Sequence, residues 1–237
     1  MKAVVLAGGK GTRLAPYTYI LPKPMMPIGE HAILEILLGQ MSRSGIVEVV
    51  LAVGHLSDLM ETYFKDGSQF GLKITYVRET KPLGTAGPLA FVEGLDDTFL
   101  VSNGDILTLI DINELVAFHR EQQALCTIAS HRRSQKIELG VIEQAEDSCQ
   151  VINYIEKPSL DFLVSMGIYI FEPRVLEYIP RGVYFDFPTL VKSLLSAEEK
   201  VVCYPYEGYW RDLGNHDDYI AANEDFENMS SQFLGQE

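Results

Sequence analysis

The sequence predicts an α/β fold built on a doubly wound, mostly parallel central sheet. In the first half of the chain, four short segments rich in aliphatic, β-branched or aromatic residues predict strands, at 3–7, 48–53, 73–77 and 99–102. Between them, segments 33–41 and 56–64 repeat apolar residues at helical spacing. This alternation is typical of a sheet covered by helices on both faces, in which ligands bind at the carboxyl ends of the strands.

The second half predicts a smaller antiparallel extension that could hold a second substrate. Its strand-like segments, at 125–130, 140–142, 151–155 and 166–171, are separated by less sequence than a crossover helix needs. Further helices are predicted after Glu172, over 187–195, and from an Asn215 cap through Phe226. Because no linker or repeat interrupts the chain, we expect one domain over residues 1–228 and a loose tail over 229–237.

Composition narrows the classes of partner. Apolar residues make up 47% of the 237 residues, enough for a substantial core. The net charge of −14 argues against nucleic acid or an anionic membrane as a partner, since both require a basic face. No segment has the length of a membrane span, and Cys126, Cys149 and Cys203 form no C-x-x-C pair. We expect a cytoplasmic protein, with the oligomeric state open and a homo-oligomer allowed.

A glycine-rich turn follows the first predicted strand. Gly8, Gly9 and Gly11 lack a Cβ, so consecutive backbone N–H groups can approach an anion, and Arg13 and Lys23 supply nearby cations. The segment fits neither a Walker loop, because Lys10 stands between glycines, nor a dinucleotide fingerprint, because Leu14 replaces the third glycine. The turn predicts a nucleotide phosphate site, although such turns are common and one alone is a weak signal.

Two carboxylates suit a magnesium ion. Asp105 ends an apolar strand in Ser-Asn-Gly-Asp, and Asp212 lies in Trp-Arg-Asp-Leu-Gly near the end of the chain. Mg²⁺ takes one or two protein carboxylates together with phosphate oxygens and water. Asp105 and Asp212 are therefore predicted as the metal ligands.

The motif from Gly8 to Leu14, with Pro16, Thr18 and Pro22-Lys23-Pro24, resembles the signature of sugar-phosphate nucleotidyltransferases (nucleotide-sugar pyrophosphorylases). The resemblance implies a Rossmann-like fold and transfer of a nucleotidyl group from an NTP to a sugar 1-phosphate, giving an NDP-sugar and pyrophosphate. It also implies Mg²⁺, held by Asp105 and Asp212, and catalytic roles for Arg13, Lys23, Asp105 and Asp212. The nucleotide-binding residues that it implies are Leu6, Ala7, Gly8, Gly9, Gly11, Thr12, Arg13, Lys23, Gly84, Thr85, Gly87 and Asp105, with Glu79 as a weaker base contact.

The sugar side is implied by two further matches. Glu156-Lys157-Pro158 resembles the segment whose Lys contacts the sugar phosphate and whose Glu contacts a sugar hydroxyl, and Gly140 precedes Val141 as in the family. Gly167 matches a third position, but Ser165 stands where many relatives have an Asn that binds the sugar. The sugar-phosphate-binding residues are thus predicted as Gly140, Glu156, Lys157 and Gly167.

Several alternatives stay open at the level of sequence. The residues around Met25 and Gly84 most resemble mannose-1-phosphate and heptose-1-phosphate guanylyltransferases, which favours GTP; thymidylyl-, uridylyl- and cytidylyltransferases share most of the motifs. Other possibilities are a non-catalytic nucleotide-sugar-binding regulator and a cytidylyltransferase for a non-sugar phosphate such as phosphocholine. Lys157 could be a solvated loop residue and Trp210 a core aromatic. A fused C-terminal acyltransferase is not expected.

Overall fold

A computed structural model describes residues 1–235. The strands are β1 (Lys2–Ala7), β2 (Pro27–Ile28), β3 (His31–Ala32), β4 (Glu48–Val53), β5 (Lys73–Arg78), β6 (Phe99–Asn103), β7 (Ile106–Thr108), β8 (Cys126–Lys136), β9 (Val141–Gln144), β10 (Val151–Ile155), β11 (Ser159–Phe171), β12 (Val201–Tyr206) and β13 (Trp210–Asp212). The α-helices are α1 (Ile33–Arg43), α2 (Ser57–Phe64), α3 (Ile112–Gln122), α4 (Phe187–Ser196) and α5 (His216–Leu234).

The central sheet has seven strands in the order β12-β8-β11-β6-β1-β4-β5. The pairs β1–β4, β1–β6, β4–β5 and β8–β12 are parallel, whereas β11 is antiparallel to both of its neighbours. Six strands therefore share one direction, and the predicted mostly parallel α/β fold is confirmed. Buried aliphatic side chains on β1 and β4 pack against both layers of helices, as the near-continuous apolar sequence of these strands requires.

The antiparallel extension is longer than the sequence predicts. Strands β8 and β11 stay paired from Ser130 opposite Ser165 to Lys136 opposite Ser159, well beyond the predicted limits of 130 and 166. Residues 131–136 are polar on both faces, so periodicity could not identify them as a strand; their pairing with the distant β11 makes them one. The β9–β10 hairpin extends from the tip of this ladder.

The C-terminal helix corrects another expectation. Asn215 caps α5 by accepting a hydrogen bond from the Asp218 amide at 2.9 Å, as predicted. Helical backbone continues past Phe226 to Leu234, with a kink at Met229, whose φ of −130° is non-helical. Residues 230–234 of the predicted loose tail are helical here, and the side chain of Phe233 is fully buried against Phe226 and Tyr209. Gln236 and Glu237 lie outside the described residues. The single domain over 1–228 stays a prediction.

The strand β13 and the carboxyl ends of the central strands meet on one side of the sheet. The short antiparallel pair β7–β13 sets Asp212 opposite Ile106, next to the end of β6. The sequence analysis did not identify β12, β13 or β7 as strands.

No helix within residues 1–235 is both long and apolar enough to cross a membrane.

Candidate active site

The glycine-rich turn is folded tightly onto the segment that follows it. Gly11 has φ +60°, and a Cβ there would lie 2.8 Å from Cγ2 of Thr18 and 3.2 Å from Cβ of Lys23. The buried Thr18 hydroxyl donates a 2.8 Å hydrogen bond to the Gly11 carbonyl. Only glycine combines this conformation with such close contact, so the turn and Lys23 are held together.

Lys23 lies between the two predicted metal ligands. Its Nζ forms an ion pair with Oδ2 of Asp105 and lies 3.9 Å from Oδ1 of Asp212. The Lys23 residue is 8% exposed, although lysines are almost never buried without a partner. Three residues that are far apart in the sequence therefore form one charged cluster.

Backbone hydrogen bonds fix both aspartates. After β6, the amide of Gly104 donates to the Leu6 carbonyl at 2.9 Å, which places Asp105 beside the end of β1. The amide of Leu213 donates to the Asp105 carbonyl at 3.2 Å, which ties the end of β13 to the same position. The end of β6 in the central sheet and the separate antiparallel pair β7–β13 thus bring Asp105 and Asp212 together.

The electrostatics of the cluster fit a divalent cation. Burial, and then the negative charge of Asp105, raise the pKa of the Asp212 carboxyl, against the opposing effect of Lys23 and Arg13. The ionised form of Asp212 is thus under-compensated by the protein's own cations. Two neighbouring carboxylates with residual repulsion are a suitable donor set for Mg²⁺.

A cavity of about 320 Å³ opens beside the glycine-rich turn and Asp105. Six of the predicted nucleotide-binding residues line it, namely Leu6, Gly8, Gly9, Gly84, Thr85 and Asp105. Four further residues complete its wall: Glu79, Pro82, Asn103 and Tyr184. The other six predicted nucleotide-binding residues do not line it, namely Ala7, Gly11, Thr12, Arg13, Lys23 and Gly87. We refer to this space as the turn cavity.

The far wall of the turn cavity is the segment 82–87, which is attached to the start of α4. Gly84 has φ +79°, and a Cβ there would lie 2.5 Å from the carbonyl oxygen of Phe185. The amide of Gly87 donates to the same carbonyl at 2.9 Å, and the hydroxyl of Thr85 accepts from the Phe187 amide at 2.9 Å. The Thr85 hydroxyl is therefore already engaged by the protein.

Glu79 places a half-buried carboxylate in the wall of the turn cavity. Its Oε2 accepts a hydrogen bond from the Leu83 amide at 2.9 Å, and its Oε1 lies against Gly8, where a Cβ would collide with it. Burial raises the pKa of Glu79, and the Leu83 amide partly offsets that effect. No cation within residues 1–235 pairs with this carboxylate.

A second cavity, of about 580 Å³, lies on the other side of the charged cluster. Asp212 and Arg13 line it, together with Trp210 of β13 and side chains from the long ladder of β8 and β11. A Cβ on Gly214 would lie 3.3 Å from Oδ2 of Asp212 and 3.5 Å from the Arg13 guanidinium, so Gly214 lies beside both side chains. We call this space the ladder cavity. Arg13, expected at the nucleotide, thus faces the ladder cavity.

The predicted sugar-phosphate residues are divided between two places. Gly167 forms the β-bulge of β11 at φ +74° and packs directly against Asn103 in the wall of the turn cavity. Gly140 and Glu156 lie on the exposed hairpin instead, where the Tyr154 hydroxyl packs on Gly140 and donates to Glu156 at 3.0 Å. Lys157 is exposed at φ +45°. Gly140, Glu156 and Lys157 line neither the turn cavity nor the ladder cavity.

Comparisons with known proteins agree with this geometry. The family model described as Nucleotidyl transferase matches residues 2–229. The chain belongs to the nucleotidyl transferase family. It is 37% identical to a UTP–glucose-1-phosphate uridylyltransferase of Synechocystis sp., over 94% of this chain and 62% of that protein. It is also 37% identical to a mannose-1-phosphate guanylyltransferase of Mycobacterium tuberculosis, over 94% of this chain and 64% of that protein. The chain thus spans less than two thirds of these relatives.

Solved structures share the fold of this nucleotidyl transferase chain. A candidate glucose-1-phosphate thymidylyltransferase from Bacillus anthracis, crystallised with sucrose, superposes with a TM-score of 0.76 at 24% identity, covering 98% of both chains. HddC from Yersinia pseudotuberculosis superposes with a TM-score of 0.73 at 24% identity, covering 95% of this chain and 99% of that one. At such identity the likeness extends to the fold alone.

Four residues that line the two cavities were not predicted from the sequence. Asn103 and Tyr184 in the turn cavity, and Arg133 and Phe162 in the ladder cavity, were not identified. Asn103 could have been found, because it precedes the Gly104-Asp105 pair at a strand end. Arg133 carried no local signal, since its position depends on pairing with Phe162 across the ladder. Trp210 was weighed only as a core aromatic, yet it lines the ladder cavity.

Proposed function

We propose that this chain transfers a nucleotidyl group from an NTP to a sugar 1-phosphate, forming an NDP-sugar and pyrophosphate. One observation carries the proposal: Asp105 lines the turn cavity, Asp212 lines the ladder cavity, and Lys23 contacts both carboxylates. The two cavities therefore adjoin at a cluster of fixed charges. Two anionic substrates that bind on either side would bring their reacting phosphates together at that cluster.

The reaction needs alignment and charge neutralisation more than covalent help from the protein. An oxygen of the sugar phosphate attacks the α-phosphorus of the NTP, the bond from that phosphorus to the bridging oxygen breaks, and pyrophosphate leaves with the electron pair. In the proposed arrangement the glycine-rich turn holds the triphosphate through backbone N–H groups. Lys23 stabilises the charge at the α-phosphate, and Arg13 stabilises the departing pyrophosphate.

Magnesium is part of the proposal. The nucleotidyl transferase family generally uses a divalent metal, and Asp105 and Asp212 are the residues that would hold it here. Such an ion would offset negative charge on the reacting phosphates. The raised pKa of Asp212 supports the assignment, since a cation would relieve its repulsion with Asp105.

GTP is the proposed nucleotide. Glu79 offers a desolvated carboxylate without a cation partner in the turn cavity. An ionised carboxylate only accepts hydrogen bonds, and guanine presents two adjacent donors on its Watson–Crick edge. Uracil and thymine present a single N–H between two carbonyls, which a carboxylate would repel. The two relatives that are 37% identical differ in their nucleotide, so identity alone does not decide between GTP and UTP.

For the acceptor, the sequence resemblance favours mannose 1-phosphate or a related heptose phosphate. Gly167, Gly140, Glu156 and Lys157 remain its proposed contacts, the last three from the hairpin. Transfer to glucose 1-phosphate by a thymidylyl-, uridylyl- or cytidylyltransferase is the enzymatic alternative. A purely regulatory nucleotide-sugar-binding protein is disfavoured, because the chain retains the whole charged cluster.

The decisive experiment is a substrate panel. The purified chain is incubated with Mg²⁺ and each of GTP, UTP, dTTP, CTP and ATP against mannose 1-phosphate, glucose 1-phosphate and a heptose 1-phosphate, and pyrophosphate release is measured. We expect the fastest release with GTP. Turnover that is fastest with UTP or dTTP would refute the choice of nucleotide, and no release from any pair would refute the proposed activity.

A further inference from the structure

The ladder cavity contains an arginine for which the proposed chemistry has no use. Arg133 on β8 pairs across the ladder with Phe162 on β11, so both side chains project from the same face of the extension. Both line the ladder cavity with Asp212 and Trp210. The neighbouring Arg132 pairs with Leu163 and projects from the opposite face.

The exposed guanidinium of Arg133 lies beside the Trp210 ring and forms no ion pair with a described residue. It lies 5.2 Å from the centroid of the Trp210 ring, a cation–π distance. The indole is itself fixed, because its Nε1 donates to the Met166 carbonyl at 3.0 Å. No carboxylate within residues 1–235 forms an ion pair with Arg133.

The acidic side chains closest to this wall are already engaged. Asp161, on the opposite face of β11, accepts a hydrogen bond from Ser134. Asp218 lies 3.5 Å from Arg211 and accepts from Asn215 at 2.7 Å. Arg133 is exposed and shares the ladder cavity with Asp212 and Asp218, but neither carboxylate forms an ion pair with it, so its guanidinium is open to an anionic ligand.

The position of Arg133 relative to the charged cluster indicates which part of the acceptor carries the anion that it binds. Trp210 and Asp212 are two positions apart on β13, so they face the same side about 7 Å from each other. Nζ of Lys23 lies 3.9 Å from Oδ1 of this aspartate. A sugar 1-phosphate whose phosphate lies beside Asp212 and Lys23 would extend its ring over Trp210. The end of the sugar remote from C1 would then meet Arg133.

We propose that Arg133 is an acceptor-specificity residue that binds a second negatively charged group on the sugar, so that the preferred acceptor is an acidic sugar 1-phosphate. The group is a carboxylate or a second phosphate, both of which match the planar guanidinium in bidentate fashion. This inference rests on the proposed function and narrows its acceptor. The 1-phosphate itself is assigned to Lys23 and to the metal proposed at Asp105 and Asp212.

The test compares acidic with neutral acceptors in matched variants. Wild type, Arg133→Gln and Arg132→Gln are assayed with the NTP that the panel selects. The acceptors are mannose and glucose 1-phosphates, the corresponding uronic acid 1-phosphates, and hexose 1,6-bisphosphates. For each, kcat and KM are measured from pyrophosphate release, and acceptor binding is measured separately by calorimetry. The uronates and the bisphosphates distinguish a carboxylate from a phosphate as the recognised group.

We expect wild type to favour one acidic acceptor over its neutral parent by about tenfold or more in kcat/KM. Arg133→Gln should reduce that ratio by about tenfold, through a higher KM for the acidic acceptor with little change in kcat. Arg132→Gln should keep the wild-type ratio, since its side chain faces away from the cavity.

Failure of the inference and failure of the proposed function give different results. Turnover in which Arg133→Gln leaves the acidic-to-neutral ratio unchanged overturns the inference and leaves the proposed function standing. If no pair releases pyrophosphate, the proposed function fails, and calorimetry still decides the inference. Weaker binding of the acidic sugar phosphate to Arg133→Gln than to Arg132→Gln supports it, and equal binding overturns it.

Discussion

The ammonium group of Lys23 forms an ion pair with Asp105 and lies 3.9 Å from the carboxylate of Asp212, joining a residue near the amino terminus to two strand ends far along the chain. In the absence of ligands this lysine partly offsets the repulsion between the aspartates. The compensation is incomplete, because the pKa of Asp212 remains above its usual range.

Replacing Asp105 or Asp212 by Asn should reduce kcat strongly while leaving the protein folded. Asp105→Asn and Asp212→Asn each remove one charge of the proposed metal site, so we expect kcat to fall by about a hundredfold or more. Asp217→Asn, an exposed carboxylate outside both cavities, should behave as wild type. Pyrophosphate release at saturating substrates is the measurement, and near-normal turnover of either variant would contradict the metal assignment.

Asp212→Asn should also melt at the same temperature as wild type or higher when no divalent metal is present. The folded-state pKa of Asp212 is raised, so the ionised carboxylate at neutral pH destabilises the folded protein, and stability would be regained as pH falls through that pKa. A neutral amide removes the penalty. Thermal unfolding in the presence of a chelator tests this, and a clear drop in melting temperature would show that Lys23 and Arg13 compensate Asp212 fully.

Gly11 should be needed for stability, whereas Gly9 should matter for binding the NTP. Gly11→Ala forces φ +60° on a residue with a Cβ and pushes it against Thr18, so we expect a loss of about 2 kcal/mol or more in unfolding free energy. Gly9→Ala meets no atom within 4 Å and should leave stability unchanged while raising KM for the NTP. Gly45→Ala, at φ +79° in open space, controls for backbone strain alone. Urea unfolding of the three variants separates these effects.

Glu79→Gln should weaken the preference for guanine. The amide replaces one acceptor oxygen with a donor, so it can no longer accept both guanine N–H groups, and it can pair with a uracil or thymine edge. We expect kcat/KM for GTP to fall by about tenfold, with a rise in the relative rate for UTP or dTTP. Glu121→Gln, exposed on α3, is the control. An unchanged nucleotide profile would remove Glu79 from base recognition.

Lys157→Ala tests whether the exposed hairpin contributes to acceptor binding. If its proposed contact with the sugar phosphate is made during turnover, KM for the acceptor should rise by about fivefold or more while KM for the NTP stays constant. Lys192→Ala on α4 removes an equivalent exposed charge elsewhere. Identical acceptor KM values in the two variants would mean that the hairpin lysine is a solvated surface residue.

His119 should make the fold sensitive to acid at a point remote from the cavities. Its ring is buried between Thr127 and Glu172, and burial lowers its pKa below the usual 6.5. As pH falls below 6.5, the unfolded chain takes up a proton before the folded one, so the unfolding free energy decreases. Urea unfolding from about pH 7 to about pH 5 should show a steeper loss for wild type and His31→Gln than for His119→Gln. Parallel pH profiles would contradict this.

Local sequence was sufficient for much of the molecule. The apolar β1 segment, the amphipathic α1 and the capped start of α5 each carry their own pattern, and these elements lie where they were predicted. The glycine-rich turn and the Gly104-Asp105 strand end were also recognisable, because the carboxyl ends of parallel strands necessarily meet. Sequence thus determined the fold class, the family resemblance and one half of the site.

Only the tertiary structure decided which residues line the ladder cavity. Residues 131–136 become a strand because they pair with β11, and that pairing, rather than any local pattern, carries Arg133 over Trp210. Phe233 continues α5 because a partner is available to bury it, against the polar sequence around it. Local periodicity reports which face of a segment is apolar, whereas long-range register decides which distant side chains share a cavity.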